Sequence, residues 1–339
     1  NLPGYTPVSL ANPDLRWEKT QQADIGLEFG FFRNNRIYGE VDVYRKHTTD
    51  LLLSVNVPSS TGYSSFLKNL GTMNNQGIEA TLNTVNIDGK FRWVTSINAA
   101  YNKNKVLNIE GQIIEAGFDL TQRAVEGQPI GVFYGQKFLG VDPATGDAQY
   151  ADEEGKPTTD YNQAARVVLG KSNPDWTGGF TNTFSYKGVD LSVFFNFVTG
   201  NKVYNAGGKY QTDGFYNGFD NQTTDMLNAW QKPGDITNVP RIGYYYASGY
   251  QTSSRWLYDG SYLRLRNLTL GYNLPKTVVQ SLKLNSFRFY ITGVNLLTVT
   301  KYPGDSEVNT QTLGNIGGGQ DFYTIPQAKT ITVGISAKF

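Results

Sequence analysis

The amino-acid sequence predicts an all-β fold: the C-terminal portion, about nine antiparallel strands, of a large transmembrane β-barrel. Three observations carry that reading. Apolar and polar residues alternate with period two through much of the 339 residues, the signature of strands with one apolar and one polar face. The connections switch between very short and very long, as in barrels with tight turns at one end and extended loops at the other. No apolar run approaches the roughly 18 residues of a membrane helix. The longest candidates, near Leu51–Val55 and Val189–Val198, are short and broken by polar residues, and a closed barrel is the other structure that satisfies every backbone group in lipid.

In the first strand, 21–32, Ile25, Leu27, Phe29 and Phe31 alternate with Asp24, Gly26, Glu28 and Gly30. The turn Arg33–Arg36 leads into 36–47, where Ile37, Val41 and Val43 alternate with Tyr38, Glu40, Asp42 and Tyr44. Ile78, Ala80 and Leu82 mark 77–87, and past Asp88–Lys90 a fourth strand, 91–104, carries Phe91, Trp93, Ile97, Ala99 and Tyr101 on one face. Strands 176–186 and 189–199 flank the turn Lys187-Gly188. In 262–273, Leu263 and Leu265 point one way while Leu268, Leu270 and Tyr272 take the opposite phase. A β-bulge near Arg266–Asn267 reconciles them, because one extra residue shifts the face by one. A longer turn, Pro275–Asn285, precedes 286–297, and 328–339 closes the chain with Ile331, Val333, Ile335, Ala337 and Phe339 in phase.

Alternating strands also fit a soluble sandwich whose apolar face looks inward. Three features favour the membrane. The polar faces hold Glu28, Glu40, Asp42 and Arg92, suited to a wet lumen. Aromatics such as Phe31, Phe91, Trp93, Tyr101, Trp176 and Tyr186 sit near strand ends, as interfacial girdles require. The loops of about 47–76, 104–175, 200–261 and 298–327 dwarf the turns. Bacterial single-chain barrels have an even strand number, so nine strands are expected to be part of a larger barrel severed in an external loop. Gly131–Val141 is apolar enough to be a tenth strand, but it would break the alternation of short and long connections, so it is assigned to a hairpin above the membrane.

Composition narrows the function. Thirty Lys+Arg against 29 Asp+Glu, a net +1, give no reason to expect a nucleic-acid groove. The absence of cysteine excludes a disulfide framework, thiol catalysis and thiolate metal sites. The single histidine, His47, excludes a His-His metal site and most histidine relays; it is assigned a structural or surface role, and no enzyme and no cofactor is expected. The acidic loop Asp142–Asp160 lacks calcium-loop spacing and is assigned to solvent. Gly317–Gly319 follows no expected strand and opens no helix, so it is no phosphate loop.

The residues then become familiar. Asn12–Thr20 (NPDLRWEKT) with Ala23–Gly30 (ADIGLEFG) resembles the opening segment of SusC/RagA-type TonB-dependent transporters. Asp50–Leu53 (DLLL), Thr61–Tyr63 (TGY) and Asn69–Glu79 (NLGTMNNQGIE) are similar to the family's long central block. Asn173–Trp176, Phe184–Ser192, Asp259–Tyr272, Gly293–Leu297 and Ile325–Ile335 follow in family order up to Phe339. The resemblance implies an outer-membrane importer of large nutrients, glycans or oligopeptides, in Bacteroidota. It implies a SusD-like surface lipoprotein as a lid, TonB engaged through an N-terminal region missing here, and SusCD-like pairs that dimerise. On that reading residues 1–339 are the C-terminal part of the barrel, facing outer-membrane lipid, with the plug domain and N-terminal strands absent from the chain. Loops are then extracellular, the C-terminus is periplasmic, and Phe339 resembles the terminal signal read by the barrel-assembly machinery.

The loop 200–261 stands apart. Aromatics amid Asn, Gln and Gly give rigid contact area and adaptable hydrogen bonds, so Tyr210, Phe215, Tyr216, Trp230, Tyr245 and Trp256 are the candidate contacts for ligand or lid. A short helical turn is expected at Met226–Trp230. The alternative function is a structural subunit of an outer-membrane assembly or adhesion complex that does not transport.

Overall fold

The computed structural model describes residues 10–63, 65–214, 220–243, 248–308 and 316–339. Period-two alternation produces nine long strands: β1 (Lys19–Phe31), β2 (Ile37–Thr49), β3 (Thr72–Asp88), β4 (Phe91–Asn108), β5 (Trp176–Tyr186), β6 (Val189–Thr199), β7 (Tyr262–Asn273), β8 (Ser286–Thr300) and β9 (Thr330–Lys338). They pair antiparallel in chain order to form one sheet. Gly131–Val141 gives no tenth wall strand. It divides into Val132–Gln136 and Phe138–Val141, which belong to two small separate sheets. The pair β3–β4 runs further than the apolar pattern suggests: Asn74, Asn75 and Gln76 still face Lys105, Asn104 and Lys103. The ladder is made by backbone groups and continues where the side chains have turned polar.

Register fixes the faces. Ile25, Val43, Ile78 and Tyr101 lie side by side on one of them, while Glu28, Glu40, Thr81 and Asn98 share the other. The apolar face is bare, with Ile25 79% and Val333 77% exposed. A surface of that extent on a soluble domain marks an interaction or aggregation site; on a barrel wall it meets lipid. The bulge in β7 falls at Arg266, where pairing steps from Phe195↔Leu265 to Phe194↔Asn267. That one residue keeps Leu265 and Leu268 on the lipid side together. The β5–β6 turn holds Lys187 and Gly188 at φ +46° and +87°, the type I′ geometry that matches strand twist. A Cβ on Gly188 would sit 2.7 Å from the Asn273 carbonyl oxygen.

Aromatics close both ends of the apolar band. Trp93 stacks on Phe184 at 5.6 Å near the turns, and Tyr101 meets Trp176 at 5.1 Å near the loops. From Phe91 to Tyr101 the chain rises about 34 Å along the strand, or about 26 Å at a tilt of about 40°. That matches the apolar band of about 25 Å seen in such barrels. On this outward face Asn182 Oδ1 accepts from Trp93 Nε1 (2.9 Å) and Thr95 Oγ1 (2.7 Å), so the polar groups there satisfy one another. Among the described residues β1 pairs only with β2 and β9 only with β8, leaving two open edges that a bilayer does not tolerate unpaired.

The buried apolar clusters sit in the loops, not behind the wall. Leu51, Leu53, Leu70, Val106, Ile114 and Ile316 draw the first, second and fourth long loops together. Phe133, Tyr204 and Trp256 join the second and third.

Candidate ligand-binding cavity among the loops

Backbone pairing builds the site. In the third loop the strand Lys202–Asn205 pairs antiparallel with Leu257–Asp259 and parallel with Gln320–Asp321 of the fourth loop. Gln320 then reaches the second loop: its Nε2 donates to Thr121 Oγ1 (2.9 Å) and Gln122 Oε1 (2.7 Å), and its Oε1 accepts from the Phe118 amide (2.7 Å). A buried amide with both donors used and its oxygen bonded fixes position because each lost partner would leave a desolvated polar group. The helix α1 (Ala206–Gln211) starts from the same junction, capped by Asn205 Oδ1 accepting from the Gly208 amide at 2.7 Å.

These three loops enclose a cavity of about 1010 Å³. Its lining includes Arg255, Trp256 and Tyr258 of the third loop and Tyr302, Asp321 and Tyr323 of the fourth, with the Tyr258 and Tyr302 rings edge to face at 5.5 Å. Arg255 lies over the Trp256 ring at 4.5 Å and donates from Nη1 to the Gly249 carbonyl at 2.7 Å. Burial pulls its guanidinium down to about 10, which leaves it charged at neutral pH. Tyr302 Oη donates to Asp321 Oδ2 at 2.6 Å. Burial first, then that bond and the carboxylate's charge, push the Tyr302 phenol well above its ordinary range. Burial also raises Tyr258, and burial with Asp220 raises Tyr323 to about 12. The lining is therefore a set of neutral phenols, one cation, two carboxylates (Asp225 and Asp321) and amides such as Asn205, Gln211 and Asn228. Apolar ring faces with a few placed polar groups are how proteins hold large polar organic ligands.

The sequence-derived contacts divide. Trp256 is buried at 3% exposure, lines the cavity and donates from Nε1 to the Gln251 carbonyl. Tyr210 does not line it; its ring packs edge-on to Tyr250 and Phe322 at 6.0 Å each. Trp230 does not line it either; its Nε1 donates to the Pro143 carbonyl of the second loop at 3.0 Å. Phe215, Tyr216 and Tyr245 lie outside the described residues. The helical turn expected at Met226–Trp230 is a 3-10 helix, Thr224–Asn228. Sequence reasoning missed Tyr302, Asp321 and Tyr323, since the fourth loop has no aromatic density comparable with the third. The Asp142–Asp160 stretch folds into strands Ala148–Ala151 and Pro157–Thr158. His47 Nδ1 pairs with Asn74 Oδ1 at 2.7 Å across β2 and β3.

Comparison with known proteins agrees with the geometry. A family model, TonB dependent receptor-like, beta-barrel, matches residues 2–296. TonB-dependent receptor P3 of Formosa agariphila is 35% identical over 99% of this chain and 36% of its own length. TonB-dependent receptor SusC of Bacteroides thetaiotaomicron is 29% identical over 97% of this chain and 32% of its own. A chain from the structure of the RagAB peptide transporter superposes with a TM-score of 0.83 at 28% identity, covering 97% of this chain and 36% of that one. The chain thus spans about a third of the length of the relatives it matches. With a nine-stranded wall, long knitted loops and a match across residues 2–296, this chain belongs to the TonB-dependent receptor β-barrel family, among its SusC/RagA-type members.

Proposed function

We propose that the chain is the C-terminal part of a TonB-dependent, SusC-like importer of glycans or oligopeptides, with its plug and N-terminal strands in the portion it does not span. The observation that carries this is the cavity of about 1010 Å³, roofed by three interlocked loops above a sheet whose inner face is polar. Glu40, Asp42, Glu79 and Asn98 line a hollow of about 360 Å³ on that inner face, which suits a water-filled lumen. The loops face the exterior, Phe339 faces the periplasm, and a SusD-like lipoprotein closes over the cavity. TonB supplies the energy through the missing N-terminal region, and SusCD-like pairs assemble as dimers. The similarity to the RagAB peptide transporter supports the peptide arm; the ring-rich lining suits a sugar chain as well.

The test is to purify the full-length protein from outer membrane and identify copurifying proteins and bound ligand by mass spectrometry. A surface lipoprotein and an oligomeric nutrient are expected. Recovery of neither, or uptake that survives loss of the TonB-binding segment, overturns the importer reading and leaves a structural subunit.

A further inference from the structure

A second pattern runs along the loop end of the lipid-facing surface, on β2 and β4. The first outward side chain beyond Val43 is Arg45, and the first two beyond Tyr101 are Lys103 and Lys105. Register places Arg45 and Lys103 on either side of Gln76, two strand spacings or about 10 Å apart. Lys105 stands opposite Asn74, whose other neighbour is His47. All three cations are exposed, while the intervening Asn104 and Val106 are buried under the loops. None of the three has an ion pair or side-chain hydrogen bond among the described residues, whereas nearby Lys19 is matched by Asp50 at 3.4 Å and Lys171 by Asp175. No Asp or Glu occupies the outward face of β1–β5.

Height gives the row its meaning. The Tyr101–Trp176 pair marks the outer edge of the apolar band. Lys103 lies two residues beyond, about 5 Å further out along the membrane normal, within the headgroup layer of about 6 Å on each side. A cleft of about 190 Å³ opens beside it, lined by Lys103, Lys105, Gln128, Asn173 and the ion-paired Lys171 and Asp175. Arg45 and Lys103 at headgroup depth and Lys105 about 5 Å above them, beside a cleft whose carboxylate, Asp175, is already matched by Lys171, are complementary to a phosphate anion held by lipid.

We propose that Arg45, Lys103 and Lys105 form a binding site for the phosphate of anionic lipid headgroups in the loop-side leaflet. The inference rests on the membrane reading above, and its test separates the two. Full-length protein is reconstituted in nanodiscs of equal parts phosphatidylcholine and phosphatidic acid, and retained lipid is counted by native mass spectrometry. Wild type is expected to keep phosphatidic acid over phosphatidylcholine by at least about tenfold. Combined Arg45→Gln, Lys103→Gln and Lys105→Gln removes the preference, while Lys103→Arg with Lys105→Arg preserves it. Lys156→Gln, at a residue paired with Glu154 in the loops, changes nothing. Absence of preference in wild type, or its survival in the triple variant, overturns the proposal; so does uptake of inorganic phosphate in place of lipid, which would mark a soluble-anion site. A protein that neither inserts nor shows the heat-modifiable gel mobility of a barrel refutes the membrane reading instead.

Discussion

Arg264 of β7 is 2% exposed and forms an ion pair with Asp305 of the fourth loop. The same carboxylate accepts from the Glu307 amide at 3.0 Å and the Gln327 amide at 2.8 Å. One side chain thus ties both ends of the 305–327 segment to the wall. Glu307 is shared in turn between Arg264 (2.9 Å) and Arg266 (2.6 Å), the latter being the bulged residue. Breaking a buried pair by removing one partner costs about 3–5 kcal/mol, because the other charge is left uncompensated. Arg264→Leu is therefore expected to free the fourth loop while the barrel stays folded. Limited proteolysis should cut within 302–327, and ligand affinity should fall; an unchanged digestion pattern would refute the clamp.

The same pair makes the loop acid-sensitive. Burial works against the Asp305 carboxylate, but the Gln327 and Glu307 amides and Arg264 hold it below the usual range near 4. A depressed folded-state value contributes stability above the unfolded value, and this is lost as pH falls through the folded one. Hydrogen exchange across 302–327, corrected for intrinsic rates, should be slow and constant at pH 5–8 and accelerate below about pH 4. Asp305→Asn should already exchange fast at pH 7.

Between pH 6 and 9 ligand binding should be flat with respect to the cavity's own groups. Arg255, pulled down to about 10, remains charged, and Tyr258, Tyr302 and Tyr323, all pushed up, remain neutral. Titration calorimetry across that range checks it. Trp256→Ala removes the buried ring and should cost about 3–5 kcal/mol of local stability, abolishing binding, while Trp230→Ala should leave affinity within about threefold.

Asn182 accepts two donors on a surface with no water to replace it. Asn182→Ala strands the Trp93 Nε1–H and the Thr95 hydroxyl, at about 1–3 kcal/mol. Urea unfolding in micelles, followed by gel mobility, should shift to lower denaturant. An unshifted midpoint would mean that lipid headgroups or water already serve these groups.

Phe339 is 91% exposed and packs on little, so its removal should barely change the stability of a folded barrel. Deleting it should nonetheless lower the amount inserted in the outer membrane if it is read during assembly. Equal insertion of the truncated and intact proteins would reduce it to an ordinary end residue.

Sequence alone determined the wall. Period-two alternation located all nine strands, and the phase break between Leu265 and Leu268 located the bulge at Arg266, because a strand's faces are set by neighbours one and two residues away. Loop length and aromatic content pointed to the third loop, and Trp256 does line the cavity. Only the tertiary structure separated it from Trp230, a residue of the same kind in the same loop that packs on Pro143 instead. It alone brought Tyr302, Asp321 and Tyr323 to the site, through the parallel pairing of Tyr204 with Gln320 and the amide of Gln320. Those contacts join segments more than a hundred residues apart, and no local period records them. The lipid face belongs to the first kind of information and the cavity to the second: a strand needs only its own pattern, whereas a pocket needs three loops to meet.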